Sequence, residues 1–150
     1  MQIIPFTKQG FENLKNELSY LISKRPEAVK QLTRGRDMGD LSENGLYKAA
    51  KQELNDIDRN IRNLKYLVKN GKVLMPTNND YVQMGHNVVV VTENGRKEFL
   101  IVGEHEANPK ENKISHKSPI GHNLMGRKTG EQIEIRTPGG FINYEIISIA

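Results

Sequence analysis

The sequence predicts an α+β protein in two parts. An antiparallel helical hairpin comes first, and a small antiparallel sheet with one short helix follows. Three observations lead there. Two runs of residues at heptad spacing occupy positions 11–32 and 47–68. The glycine-containing segment RGRDMGDLSENGLY, Arg34 to Tyr47, lies where the runs meet. After Pro76 the apolar period changes from helical to strand-like.

The first run is Phe11, Leu14, Leu18, Leu21, Arg25, Ala28 and Leu32, with steps alternating between three and four. Arg25 is the interruption in an otherwise apolar seam. The second run is Tyr47, Ala50, Leu54, Ile57, Ile61, Leu64 and Val68, with the same steps. Thr7 is placed to cap the first helix, and Gly71 and Pro76 to stop the second. Two such seams bury each other best as antiparallel neighbours joined by a short turn. Pairing from the outer ends sets Phe11 against Val68, Leu18 against Ile61, Arg25 against Leu54 and Leu32 against Tyr47. The centre of that pairing falls between Gly39 and Asp40. A hairpin over residues 1–76 with its tip at about 37–43 is therefore expected. Arms of about 30 residues would be roughly 45 Å long. Pro26 is expected to kink the first arm. Gly35 and Gly45 flank the turn, each costing about 1 kcal/mol of helix relative to Ala.

Residues 77–150 read as a second domain. The stretch TNNDYVQMG is a linker or loop, and His86–Val91 is a short apolar run. TENGR carries Asn-Gly, which predicts a type I′ hairpin returning through Lys97–Val102. NPKEN is a turn. Ser118 and Pro119 open a short helix as cap and first residue, ending near Gly126. Gln132–Arg136 alternates, TPGG turns the chain, and Phe141–Ile149 forms the last strand.

Charge is divided unevenly. Residues 1–76 carry 14 Lys/Arg against 9 Asp/Glu, whereas residues 77–150 carry 8 against 9, so the basic character belongs to the helical half. That half is the one expected to meet phosphates, unless its cations simply solvate a helix surface. There is no cysteine, which excludes disulfides and thiolate metal sites and fits a reducing, cytoplasmic setting. The N-terminal MQIIPFTKQG lacks the apolar core of a signal peptide, and no apolar run reaches membrane-spanning length. His86, His105, His116 and His122 match no zinc spacing and read as surface or loop residues.

Two readings of the tip stand side by side. Asp40 can cap the second helix with Glu43 at the third position, or Ser42 can be the cap and leave both carboxylates free. Free carboxylates at a tip suit Mg²⁺, which is typically held by one or two carboxylates with waters or phosphates completing the octahedron. Alone they would bind it weakly. Inserted into another protein's active centre they would form half of a two-metal site. Lys30, Arg34, Arg36, Lys48 and Lys51 lie within three turns of the tip and could hold a nucleic-acid strand there, RNA before DNA. Leu41 and Leu46 read as hydrophobic anchors of the turn.

The segment MGDLSENGLYKAA, with the heptads before it, resembles the tip of the bacterial transcript cleavage factors GreA and GreB. IIPFTKQGFENLKNELSYL is similar to that family's first helix, while RPEAVKQL and NDIDRNIRNLKYLVKN look closer to GreB. IVGEHEA, ISHKSPIGHNLMGRKTGE and TPGG are similar to its C-terminal domain, so the resemblance covers nearly the whole chain. It implies a coiled-coil stalk that enters the secondary channel of bacterial RNA polymerase. It also implies an FKBP-like domain over 77–150 that docks on the channel rim through Ser118, Pro119 and Ile120. Asp40 and Glu43 match the tip acids that help hold a Mg²⁺ of the polymerase. The implied factor is a monomer, not itself an enzyme, that activates the polymerase's cleavage of the 3′ end of backtracked nascent RNA. Four places depart from the family pattern. Gly45-Leu46 stands where Ala and an acidic residue are usual, and Gly35 replaces a better helix former. Lys117 stands for Asp or Asn, and Gly121-His122 for an Ala-Arg pair. One rival reading is a channel-binding regulator that leaves the RNA intact. Another, a prolyl isomerase, needs an aromatic pocket. Residues 77–150 offer only Tyr81, Phe99, Phe141 and Tyr144, the last two expected in the core.

Overall fold

The computed structural model describes residues 3–39 and 44–150. Strand β1 (Ile4–Phe6) leads into helix α1 (Lys8–Asp37), and helix α2 (Gly45–Asn70) runs directly into strand β2 (Gly71–Val73). Then come β3 (Asn87–Thr92), β4 (Gly95–Val102), two short 3₁₀ turns at Glu104–Glu106 and Pro109–Glu111, β5 (Lys113–Ser115), helix α3 (Pro119–Leu124), β6 (Gln132–Thr137) and β7 (Gly140–Ile149). The chain divides into two compact units, Phe11–Asn70 and Met1–Gly10 with Gly71–Ala150.

In the helical unit the predicted seams meet. Ala28, Ile57 and Ile61 form its buried cluster, with Leu18, Leu21 and Leu54 packed against it. Arg25, the polar interruption, turns outward and forms a two-pronged ion pair with Asp58, Nε to Oδ1 at 2.6 Å and Nη2 to Oδ2 at 3.3 Å. The guanidinium hydrogen bond holds the Asp58 carboxyl below its ordinary value. Pro26 lies inside α1, which continues through it to Asp37. The register differs from the predicted pairing. At the end of the arms the predicted pairing sets Leu32 against Tyr47, whereas the backbone of Tyr47 lies against Gly35. Gly35 is thus the next seam position after Leu32, one three-residue step further on.

The sheet unit has a five-stranded sheet in the order β5-β4-β3-β7-β6. Its pairs are antiparallel except β4 with β5, where Leu100 aligns with Lys113 in parallel, so the sheet is mixed. A separate parallel pair joins β1 to β2, Ile4 opposite Gly71 and Phe6 opposite Val73. Alternating residues of β3, β4, β6 and β7 point one way: Val88, Val90, Phe99, Ile101, Ile133, Ile135, Tyr144 and Ile146 are buried together, and Leu124 of α3 closes that core. The β3–β4 turn forms where Asn-Gly predicts it, but not as type I′. Gly95 takes positive φ (113°), whereas Asn94 does not. Thr7 caps α1 as expected, accepting the Gly10 N–H at 3.1 Å. It is held in turn by Glu106, whose carboxylate accepts the Thr7 N–H at 2.9 Å, the Thr7 hydroxyl, and the Gly103 N–H at 3.1 Å.

Two sequence expectations fail here. Phe141 is not core; it is 64% exposed, with the Arg136 guanidinium over its ring. Phe99 and Tyr144 are core and pack edge-on, with centroids 6.3 Å apart. His86 is not a surface histidine but is buried, 1% exposed. Its Nδ1 accepts the Gln83 N–H at 2.9 Å, which leaves Nε2–H to donate to Asn79 Oδ1 at 2.9 Å. Burial pushes its pKa below the ordinary 6.5. No helix among the described residues is long and apolar enough to cross a membrane.

Candidate functional site: the end of the hairpin and the short helix

At the end of the helical unit the two arms touch through backbone. A Cβ on Gly35 would lie 2.9 Å from Tyr47 Cα and 3.0 Å from Tyr47 N, closer than side chains pack. Glycine at this position is therefore a packing requirement as well as a weak helix former. Its carbonyl accepts two donors, Met38 N–H at 3.3 Å and Asn44 Nδ2 at 2.5 Å. Gly39 then takes φ of 104°, a conformation that favours glycine.

Asn44 is the cap of α2. Its Oδ1 accepts the Tyr47 N–H at 3.1 Å, and its carbonyl accepts the Lys48 N–H at 3.1 Å as the helix begins. Neither Asp40 nor Ser42 is therefore the cap residue of α2. Asp40, Leu41, Ser42 and Glu43 themselves lie outside the described residues. Leu46 does not anchor the turn; it is 61% exposed, and Met38 64%.

The five predicted phosphate-binding cations are all exposed, and among the described residues none forms an ion pair. Arg34 and Arg36 occupy the last turn of α1, where cations are favoured by the helix dipole. Lys48 and Lys51 lie near the start of α2, which has no acidic residue in its first turn. Cations there oppose the dipole, so local helix stability does not account for them. Together with the helix N-terminus they make this end attractive to anions.

In the sheet unit the Ser118–Ile120 segment is built on a cap. Ser118 Oγ accepts the Gly121 N–H at 3.1 Å and donates to Ser115 O at 2.7 Å. Pro119 is exposed, while Ile120 is half-buried against the core. Gly121 is fixed by space, since a Cβ would meet Ser115 O at 2.0 Å. Beside them Lys117 is exposed and reaches Glu104 at 3.4 Å. Among the described residues no group of three or more His, Asp or Glu side chains converges as a metal site.

Residues 4–73 match the family model "Transcription elongation factor, N-terminal" and residues 77–150 match "Transcription elongation factor, GreA/GreB, C-term". The chain belongs to the GreA/GreB family of transcription elongation factors. Curated relatives include transcription elongation factor GreA of Thermodesulfovibrio yellowstonii, 42% identical with 98% of this chain and 96% of the relative covered. GreA of Staphylococcus saprophyticus is 39% identical, with 97% and 95% covered. Among solved structures, GreA factor homolog 1 of Thermus thermophilus is 26% identical, covers 99% of both chains and has a TM-score of 0.47.

The residues that sequence reasoning missed at this site are Gly35 and Asn44. Asn is a strong cap type and stands directly before the helix, so a signal existed. It was masked by Asp40 and Ser42, which are equally competent. The role of Gly35 depends on the opposite arm and has no local signal.

Proposed function

We propose that this GreA/GreB-family factor acts on bacterial RNA polymerase as an activator and not as a catalyst of its own. The hairpin end enters the polymerase's secondary channel and stimulates its cleavage of the 3′ end of backtracked nascent RNA. The observation that carries this reading is the placement of two acids, Asp40 and Glu43, in the segment joining two helices. The helix ends around that segment are locked together through Gly35 and Asn44 and carry the exposed cations Arg34, Arg36 and Lys48.

Carboxylate oxygens are the hard donors that Mg²⁺ prefers, and two of them leave room for ligands from elsewhere. Asp40 and Glu43 would hold one shared Mg²⁺ together with the polymerase. When bound there, the ion supplies activation of water and stabilisation of a leaving oxygen. Arg34, Arg36, Lys30, Lys48 and Lys51 hold phosphates of the extruded RNA and align it with the carboxylates. In the sheet unit the Ser118–Ile120 segment docks on the channel rim, with Pro119 presented by the capped turn.

The test is RNA release from a stalled, backtracked polymerase complex with Mg²⁺. The wild type is compared with Asp40→Asn combined with Glu43→Gln. The expected result is stimulated cleavage with the wild type, and undiminished binding without cleavage for the double variant. A wild type that binds and leaves the RNA intact would make the protein a channel-occupying regulator, a reading the exposed Leu46 in place of an acidic residue would then favour.

A further inference from the structure

We infer that the free edge of β6 pairs with a second copy of this chain, as an antiparallel β6–β6 ladder centred on Ile135. The pairing concerns the free factor and does not depend on the cleavage reading. The five-stranded sheet ends at β5 on one side and at β6 on the other. An open edge is a template for another strand, and proteins blunt it by shortening it, bulging it or placing Pro or charges along it. The β5 edge is short, at three residues, and Asn108 bridges back to its Lys113. β6 is six residues long, contains no Pro and pairs with β7 in unbroken register.

The turn before β7 decides which way the β6 backbone faces. Thr137 pairs with Gly140 across the two-residue turn Pro138-Gly139, and such a closing pair exchanges both hydrogen bonds. By alternation Ile135–Ile142 and Ile133–Tyr144 are hydrogen-bonded pairs too. The N–H and C=O groups of Gln132, Glu134 and Arg136 therefore point away from β7. Among the described residues no turn, loop or further strand bonds them. Their side chains are exposed, whereas Ile133 and Ile135 between them enter the core. Neither Glu134 nor Arg136 forms an ion pair among the described residues. Arg136 stacks on Phe141, its guanidinium carbon 5.8 Å from the ring centroid. Stacking orders the guanidinium and leaves its in-plane donors available.

Those two charges select the occupant and the register. Antiparallel strands of two copies meet about a two-fold axis, so each residue faces the one equally far on the other side of the centre. Centred on Ile135, Glu134 faces Arg136 of the second copy, and Arg136 faces its Glu134. Both are positions whose backbone groups point outward, so each of these pairs also closes two backbone hydrogen bonds. Centred on Glu134 or Arg136 instead, the ladder would set like charges directly opposite. Charges of both signs deter an unrelated strand, but this strand is its own complement. Pro138 has no N–H and ends the ladder.

The test is sedimentation equilibrium of the full chain at up to about 1 mM, because a ladder of one short strand lies at the small, transient end of interfaces. The wild type should show a reversible monomer–dimer equilibrium. Glu134→Arg and Arg136→Glu, each alone, set like charges opposite at both pairs and should weaken it roughly 10- to 100-fold. Glu134→Arg combined with Arg136→Glu restores opposite charges and should recover the association. Both side chains are exposed, so the urea midpoint should hold in all three variants. A wild type that stays monomeric throughout would overturn the inference and leave the edge to a strand of another protein. A dimer unmoved by either single reversal, or one that the combined variant does not recover, would overturn it as well.

Discussion

Replacing Gly35 by Ala sets two effects of opposite sign against each other. Gly35 lies inside α1, where Ala is favoured over Gly by about 1 kcal/mol, so propensity alone predicts a more stable helix. The new methyl would stand 2.9 Å from Tyr47 Cα and 3.3 Å from Tyr47 Cβ. Carbon atoms pack at about 3.5–4.0 Å, so one arm must retreat by roughly 1 Å. The obstacle is main chain in a helix, which cannot rotate aside. Overpacking of this kind costs about 1–3 kcal/mol. Retreat also stretches the 2.5 Å bond from Asn44 to the Gly35 carbonyl, worth about 1 kcal/mol more. The balance is a local loss of about 1–3 kcal/mol at the hairpin end. The buried cluster around Ala28, Ile57 and Ile61 lies further along the arms, so the shaft should hold. Amide exchange resolves the two. A loss of about 2 kcal/mol accelerates exchange roughly 30-fold around Gly35 and Tyr47, with little change near Ile57. Slower exchange at Gly35 and Tyr47 in the Ala variant would refute the argument and leave Gly35 a plain defect in the helix.

Three further outcomes follow from the geometry. Because His86 is held neutral, with a folded value below 6.5, the unfolded chain binds its proton first as pH falls. Stability of the sheet unit should be full above about pH 6.5 and decline below it, a dependence that His86→Gln removes; a flat urea midpoint between pH 7.5 and 5 in the wild type would contradict this. Asp58 is lowered by Arg25, so its contribution is complete above its ordinary 3.8 and is lost as pH drops through its lower folded value. An NMR titration should show the Asp58 midpoint rising in Arg25→Ala, and an unmoved midpoint would mean the ion pair does not persist in solution. Gly121→Ala restores the residue usual in the family but drives a methyl into the Ser115 carbonyl. A loss of about 1–3 kcal/mol by denaturant unfolding is expected, and an unchanged midpoint would show that the α3 turn can open at no cost.

What the sequence revealed and what it hid divide along a physical line. Heptad spacing, the Ser118-Pro119 start and the alternation in β6 and β7 are local patterns, and each element appears where its pattern lies. The β1–β2 pair was invisible because three residues carry no readable period. Its partner strand is brought back by the whole hairpin, Ile4 opposite Gly71. The parallel seat of β5 beside β4 is equally non-local. His86 was open to a surface reading because a lone histidine between Gly85 and Asn87 carries no local signal of burial. Its burial comes from the fold, and Gln83 and Asn79, which satisfy its ring, stand only three and seven residues away.

The hairpin end shows how a local signal can be present and still undecidable. Asp40, Ser42 and Asn44 are all cap types within five residues of one another, and capping preference ranks them nearly alike. What favours Asn44 is a group outside the helix being capped. Asn carries its acceptor and its donor on separate atoms of a longer side chain, one for the Tyr47 N–H and one for a carbonyl across the hairpin; an ionised Asp has no donor, and Ser has a single oxygen one atom from Cβ. That carbonyl comes within reach because position 35 is glycine. The seam read as ending at Leu32 in fact takes one more step, and the step is a residue with no side chain to count in a hydrophobic pattern. The same absence that hid Gly35 from the heptad brings Asn44 to its partner. The register of the arms and the choice of cap are therefore one decision. Asn44→Ser leaves the cap in place and removes only the link across the hairpin.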